Sequence, residues 1–169
     1  MNTLDAIMTR RSVRKYTQVP LPEGIIDTLL RAAMAAPSAG NQQPWHFIVV
    51  TDPALLQKVP SIHPHAHMVA HAPAAILICA DLQREKHKDM WPQDCSAATE
   101  NLLLGAHDQG LGAVWLGIFP REDRSEAFSR LFGLPDHVKP FSMIALGCPA
   151  EKPAPADRYD PGRIHQNHW

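Results

Sequence analysis

Residues 9–16, TRRSVRKY, place Arg10, Arg11, Arg14 and Lys15 beside the hydroxyls of Thr9 and Ser12. Guanidinium groups bind phosphate in a bidentate fork, and a neighbouring hydroxyl adds one more donor. Ser12 and Arg14 project to the same side if the chain is extended there. The same cations also suit the C-terminal end of a preceding helix, where they offset the helix dipole. A phosphate seat and a solvated helix end are therefore both open on this segment alone.

The loop PSAGNQQPW at 37–45 is the second concentration of polar chemistry. Ser38, Asn41, Gln42 and Gln43 supply amide and hydroxyl groups that can match a planar heterocycle with mixed donors and acceptors. Pro, Ser, Gly and Asn also make an ordinary turn. GLGAVWLGIFP at 110–120 does not carry the dinucleotide fingerprint, because Gly110 and Gly112 precede a strand instead of following one. Gly117 inside that strand marks a place where a ligand or a backbone comes close.

The run HPHAHMVAH sets His63, His67 and His71 at i, i+4 and i+8, on one face if the segment is helical. Histidines at that spacing can chelate a transition metal. No HExxH glutamate is present and no carboxylate follows before Asp81, so no metal is assigned. Cys79, Cys95 and Cys148 are odd in number and far apart, which gives no disulfide framework and no CxxC site. They read as inert buried thiols in a reducing cytoplasm. No GxSxG elbow supports a serine hydrolase.

These residues need a scaffold, and 169 residues suffice for one domain, 1–169, with a real core. The net charge of −1 argues against nucleic-acid binding. No apolar run approaches a membrane span, and the start MNTLDAIMTRR does not read as a signal peptide. Thr3 is placed to cap a first helix with an apolar face of Leu4, Ile7 and Met8. A second helix is expected from Pro22-Glu23 to Pro37. Strands are expected at 45–50, 74–80, 113–119 and 141–147, the first two as runs buried on both faces. Helices are expected at 91–110, stopped by Gly110, and at 121–133, stopped by Gly133. Alternating strands and helices give an α/β reading with helices on both faces of a sheet. The proline-rich residues after Gly147 cannot build a core, and Ile164 and Trp169 favour docking over disorder.

Taken in order, RRSVRKY, APSAGNQQPW, AATENLLLGAHDQGLGAVWLG and DRYDPGRIH resemble the FMN-dependent nitroreductase family, in its short form, over about residues 4–165. The resemblance implies an α/β (α+β) three-layer sandwich around a mixed central sheet. It implies an intertwined homodimer with a C-terminal arm at about 150–169 docking on the partner subunit, and one FMN in each of two interface sites. Arg10 and Ser12 would serve the phosphate end, with Arg11 in the same segment, and Arg14 would reach the pyrimidine edge of the ring. Pro37, Ser38, Ala39 and Asn41, with Gln43 beside them, would come from the partner. Trp115, Leu116 and Gly117 would meet the ring through their backbone, and Arg158 would close on the phosphate. His65 or His67 would touch substrate. Ala39 stands where many relatives have a second serine, so one side-chain contact is replaced by backbone or lost. The implied activity is ping-pong hydride transfer from NAD(P)H through FMN to nitroaromatics, quinones or similar acceptors. In that chemistry the flavin reacts, and no side chain is a catalytic acid, base or nucleophile. Two other readings stay open: a flavin-fragmenting or dehalogenating enzyme on the same scaffold, and a flavin- or metal-binding store or sensor without turnover.

Overall fold

The computed structural model describes residues 1–169. Six helices occur in chain order: α1 Thr3–Thr9, α2 Ile25–Met34, α3 Pro53–Leu56, α4 Val59–Ile62, α5 Trp91–Asp108 and α6 Glu122–Phe132. The strands are β1 Trp45–Val50, β2 Ala74–Asp81, β3 Gly112–Gly117 and β4 Val138–Gly147. They form one sheet in the order β1-β2-β4-β3, with every strand pair antiparallel. The parallel component expected of a mixed sheet enters only through a bridge between Ser12 and Ala113.

Strand alternation divides the core into two layers. Ile76, Ile78, Ile144 and Leu146 face α2 and α5, packing against Leu29, Ala98 and Leu102. Leu77, Met143, Ala145 and Leu116 face the other way, against Val59, Val69 and Phe128. The result is a helix–sheet–helix sandwich. Fully burying one such Leu or Ile contributes about 1.5–3 kcal/mol. β2 is buried along its length up to Asp81, as its unbroken apolar run predicts. β1 is not, because it is an edge strand: Trp45 and Val50 are buried while His46 and Val49 are exposed.

Several boundaries differ from expectation for local reasons. Asn2, not Thr3, caps α1, its Oδ1 accepting from the Asp5 amide at 2.9 Å. The face Leu4, Ile7, Met8 lies exposed on the single chain, and Ala6 is the buried residue of α1. α2 begins at Ile25 because Gly24 takes a left-handed φ of 73°. β4 starts earlier than expected, at Val138. The histidine run forms no continuous helix: α4 stops at Ile62, His63 is extended, and a 3-10 turn occupies His67–His71. His63, His67 and His71 therefore share no helical face, and no group of three His, Cys, Asp or Glu side chains is placed to hold a metal. No helix is long and apolar enough to cross a membrane.

The chain ends meet across β3. Val13 N–H donates to Ala113 O at 3.0 Å, and Ala150 N–H donates to Lys15 O at 2.8 Å. A Cβ on Gly112 would lie 2.5 Å from Val13 Cγ1, so glycine permits this close approach. Beyond Pro153 the tail is exposed on its own chain, and Trp169 is 101% exposed.

Candidate functional site

The arginine segment divides into spent and unspent donors. Arg11 is spent: its Nε donates to Ala154 O at 3.2 Å and Nη2 to Ala156 O at 2.9 Å. Its Nη1 donates to Met8 O at 3.3 Å and Arg10 O at 2.6 Å. It thus pins the C-terminal tail to the end of α1. Arg10 is half-spent, with Nε on Glu100 at 3.1 Å and its terminal amines unpaired within the chain. The Ser12 hydroxyl and the side chains of Arg14 and Arg158 have no partner in the chain. Arg158 follows Ala156 by two residues, a reach of about 7 Å at most. The pin at Arg11 therefore brings the backbone near Arg158 to the end of α1 from the far end of the chain.

Two carboxylates and a histidine stand among these cations. Glu151 Oε1 accepts from the Arg14 amide at 2.7 Å. Burial, together with the charges of Arg10 and Arg11, holds the His107 imidazole below its usual pKa. Thr9 Oγ1 donates to Asp5 O, so the contact of 2.7 Å between Thr9 and His107 has the imidazole Nε2–H as donor. His107 therefore stands beside Thr9 with its neutral form favoured. A cavity of about 490 Å³ lies beside this segment, lined by Thr9, Arg11, Val13, His107, Lys152 and Pro153, but not by Arg10, Ser12, Arg14 or Arg158. Another cleft, of about 640 Å³, contains none of the expected residues. Its Glu122, Glu126 and Asp136 oppose an anionic ligand.

The loop after α2 is organised by a residue that sequence reasoning missed. Asp94, on α5 and 4% exposed, accepts from the Ala39 amide at 2.9 Å and from Gln42 Nε2 at 2.6 Å. Gln42 Oε1 in turn accepts from the Lys86 and His87 amides at 2.8 and 3.0 Å. A lone acidic residue in a helix carries no sequence signal for such a role; its pairing with the amide-rich loop appears only in three dimensions. Ser38 Oγ accepts from the Gln43 amide at 3.0 Å, and Gln43 Nε2 donates to Asn41 Oδ1 at 3.0 Å. Asn41 and Gln43 adopt φ of 54° and 48°. Such left-handed residues cost about 1–3 kcal/mol each and persist only when their surroundings hold them. Asp94→Ala orphans two donors, so it is expected to lower stability by about 2–3 kcal/mol and to loosen the loop. Thermal denaturation and proteolysis of the 37–44 segment check both effects.

Asp94 and Glu100 also fix how the two segments sit. They are six residues apart on α5, about 9 Å along the axis and about 120° around it. The arginine segment and the Ser38–Gln43 loop therefore meet α5 from different sides within one chain.

At the end of β3, a Cβ on Gly117 would meet no protein atom within 4 Å, which leaves its face open. Trp115 is partly buried against Phe141, with ring centroids 5.8 Å apart, and Leu116 points into the opposite core. The Gly117 carbonyl accepts from Arg124 Nη1 and contacts His63 Nε2, both at 3.0 Å. His63 is 2% exposed. Its Nδ1 accepts from the His65 amide at 3.2 Å, so the neutral ring carries its proton on Nε2 and donates to Gly117. His65 and His67 are exposed, and His65 lies two hydrogen bonds from the Gly117 carbonyl.

Burial, with the charges of Arg124 and His65, holds the His63 pKa below 6.5. The unfolded chain binds that proton near 6.5 and the folded chain only at lower pH. Stability is therefore full above 6.5 and falls as pH drops through the folded value. His107 acts in the same sense. His63→Gln should flatten part of the slope of melting temperature against pH below 6.5 and leave the part due to His107.

Two of the three thiols, Cys79 and Cys95, are buried and inert, whereas Cys148, expected to be buried, is half-buried at the end of β4. Burial pushes Cys79 up to about 12 and raises Cys95 as well. Neither has a base within the site.

The Nitroreductase family model matches residues 7–67 and 61–148, which span these segments. The chain belongs to the nitroreductase family. This nitroreductase-family chain is 53% identical over 169 residues to a Methanothermobacter thermautotrophicus protein provisionally named NADH dehydrogenase/NAD(P)H nitroreductase, covering 100% of the chain and 88% of that protein. A Parabacteroides distasonis crystal structure of the same provisional name superposes with TM-score 0.95 at 42% identity, covering 99% and 98% of the two chains. A Desulfovibrio desulfuricans nitroreductase structure in complex with FMN superposes with TM-score 0.86 at 28% identity, covering 100% and 98%. The expected nitroreductase-like α+β sandwich is thereby established, with an antiparallel four-stranded sheet in place of the mixed one.

Proposed function

We propose that this chain is an FMN-dependent, NAD(P)H-using oxidoreductase that works as a homodimer, with residues 1–169 as one domain and about 150–169 as an arm on the partner. The observation that carries the reading is the unspent donor set. Arg10, Ser12, Arg14 and Arg158 present cations and a hydroxyl without partners in the chain, in a protein of net charge −1. A flavin phosphate carries about 1.5–2 negative charges near neutral pH, which is proportionate to that set. The residues present fit FMN.

FMN, when bound, would supply the two-electron carrier that takes hydride from NAD(P)H and passes it to an oxidised acceptor. The chain's own part is positioning and charge. Arg10 and Ser12 hold the phosphate, and Arg158 closes on it. Arg11 contributes by pinning the arm that carries Arg158. Arg14 stabilises negative charge at the pyrimidine edge. Trp115, Leu116 and Gly117 back the ring, and the open face at Gly117 leaves room for it. Pro37, Ser38, Ala39, Asn41 and Gln43 reach the ring from the partner. The two segments meet α5 on sides about 120° apart, which suits their serving the ring from different chains. The exposed Leu4, Ile7 and Met8 face suits the same interface. Turnover is ping-pong, one site serving the donor and then a planar electrophile such as a nitroaromatic or quinone, with His65 or His67 at its rim.

The deciding experiment is the absorption spectrum of the purified protein titrated with FMN, then with NADH or NADPH under anaerobic conditions. Flavin absorption that bleaches and returns on adding a nitroaromatic or quinone is expected. A protein that takes up no FMN overturns the reading. One that binds FMN but never bleaches is a flavin store or sensor.

A further inference from the structure

We infer that His63 and Arg124 form a two-donor clamp on the Gly117 carbonyl, and that both are positioning residues for the flavin-facing end of β3. The inference rests on the reading of Trp115–Gly117 as the segment that backs the ring. β3 is an edge strand, and alternate residues turn their backbone groups away from β4. At Ala113 the outward carbonyl is taken by the Val13 amide. At Gly117 it is taken by two side chains from separate elements: His63, just after α4, and Arg124, on α6.

Two donors at 3.0 Å converge on that oxygen, their nitrogens 3.4 Å from each other. The adjoining Ile118 amide donates to Phe141 O at 3.1 Å. The Gly117–Ile118 peptide plane is therefore held at both of its polar groups, and a planar peptide has no further freedom of orientation. Glycine alone would supply no such stiffness, since it samples backbone conformations closed to other residues. The clamp keeps the open face of Gly117 in one orientation before any ligand arrives. It also gives the histidine run a purpose other than metal binding. The Nδ1 contact with the His65 amide selects the tautomer that can donate to Gly117.

The test uses the full-length protein without FMN, and compares His63→Phe, His63→Gln, Arg124→Met and the two double variants. Phenylalanine keeps a ring beside Phe128, and glutamine places an amide N–H near the position of Nε2. His63→Phe and Arg124→Met each leave one donor and His63→Gln keeps both, so FMN dissociation constants should rise threefold or less in every single variant, as expected for at most about half a kcal/mol. The His63→Phe/Arg124→Met double variant leaves none, and a rise of about tenfold is expected. His63→Gln/Arg124→Met should return to within about threefold of Arg124→Met alone. A folded double variant that binds FMN as tightly as wild type overturns the clamp. The backbone amide shifts of Gly117 and Ile118, read without FMN, decide independently of the flavin and of whether the double variant folds. Shifts near wild type in His63→Gln but displaced in His63→Phe support the clamp, and equal displacement in both overturns it. Failure of the wild type to bind FMN would count against the flavin reading, and these shifts would still judge the clamp.

Discussion

Replacing Arg10 or Arg158 by alanine is expected to weaken FMN binding by about one to two powers of ten each, without unfolding the protein. Each change removes charge-assisted bonds to phosphate, worth about 1.5–3 kcal/mol apiece. Arg10 is also paired with Glu100, so its loss leaves that carboxylate alone; at 44% exposure Glu100 stays solvated and the structural cost is small. Arg158 has no partner to strand. The two losses should be less than additive, because both act on one phosphate. Arg11→Ala should behave differently. It frees four backbone carbonyls and unpins the tail. Its main signature is then faster proteolysis of residues 154–169, with flavin affinity falling through the displaced Arg158. Fluorescence titration with FMN and limited proteolysis distinguish the two patterns. Unchanged affinity in both Arg10→Ala and Arg158→Ala would remove the phosphate seat.

The parts of this site that can be read from sequence are those whose chemistry is local. Four cations within eight residues, and amides crowded between two prolines, announce a polar ligand by type and spacing. β2 was readable for the same reason: an unbroken apolar run fixes its burial. What could not be read depends on which distant groups meet. Arg11 looks like its neighbours, and only the position of Ala154 and Ala156 shows that its donors are spent. Gln42 and Gln43 are adjacent amides, yet one is buried on Asp94 and the other is exposed. The histidine spacing suggested a shared helical face. The chain turns extended at His63, where burial and the Gly117 carbonyl outweigh helical continuation. The α1 face was expected from its apolar pattern, but the single chain offers nothing to cover it, and only Ala6 is buried. Periodicity tells which side wants burial, not which chain provides it.

That question of which chain provides what gives the second large effect. The Ser38–Asn41 loop and the Arg10–Arg14 segment are proposed to reach one FMN from different subunits. A two-fold dimer then holds two equivalent sites, each incomplete in one chain. Take one inactive variant with Ser38 and Asn41 replaced by alanine, and another with Arg10 and Arg14 replaced. In a heterodimer of the two, one site collects all four lesions and the other collects none. Refolding the variants together should therefore restore activity, up to half of the wild-type value per heterodimer. If both segments served the same site from one chain, each heterodimer site would keep two lesions and activity would stay lost. Ser38 and Asn41 also brace Gln43, so the loop variant is first checked for an unchanged fold and dimer mass. With heterodimers confirmed by mass, absence of recovered activity would refute the shared site. It would not touch the phosphate seat, because the measured affinities of the Arg10 and Arg158 variants do not depend on which subunit supplies the loop.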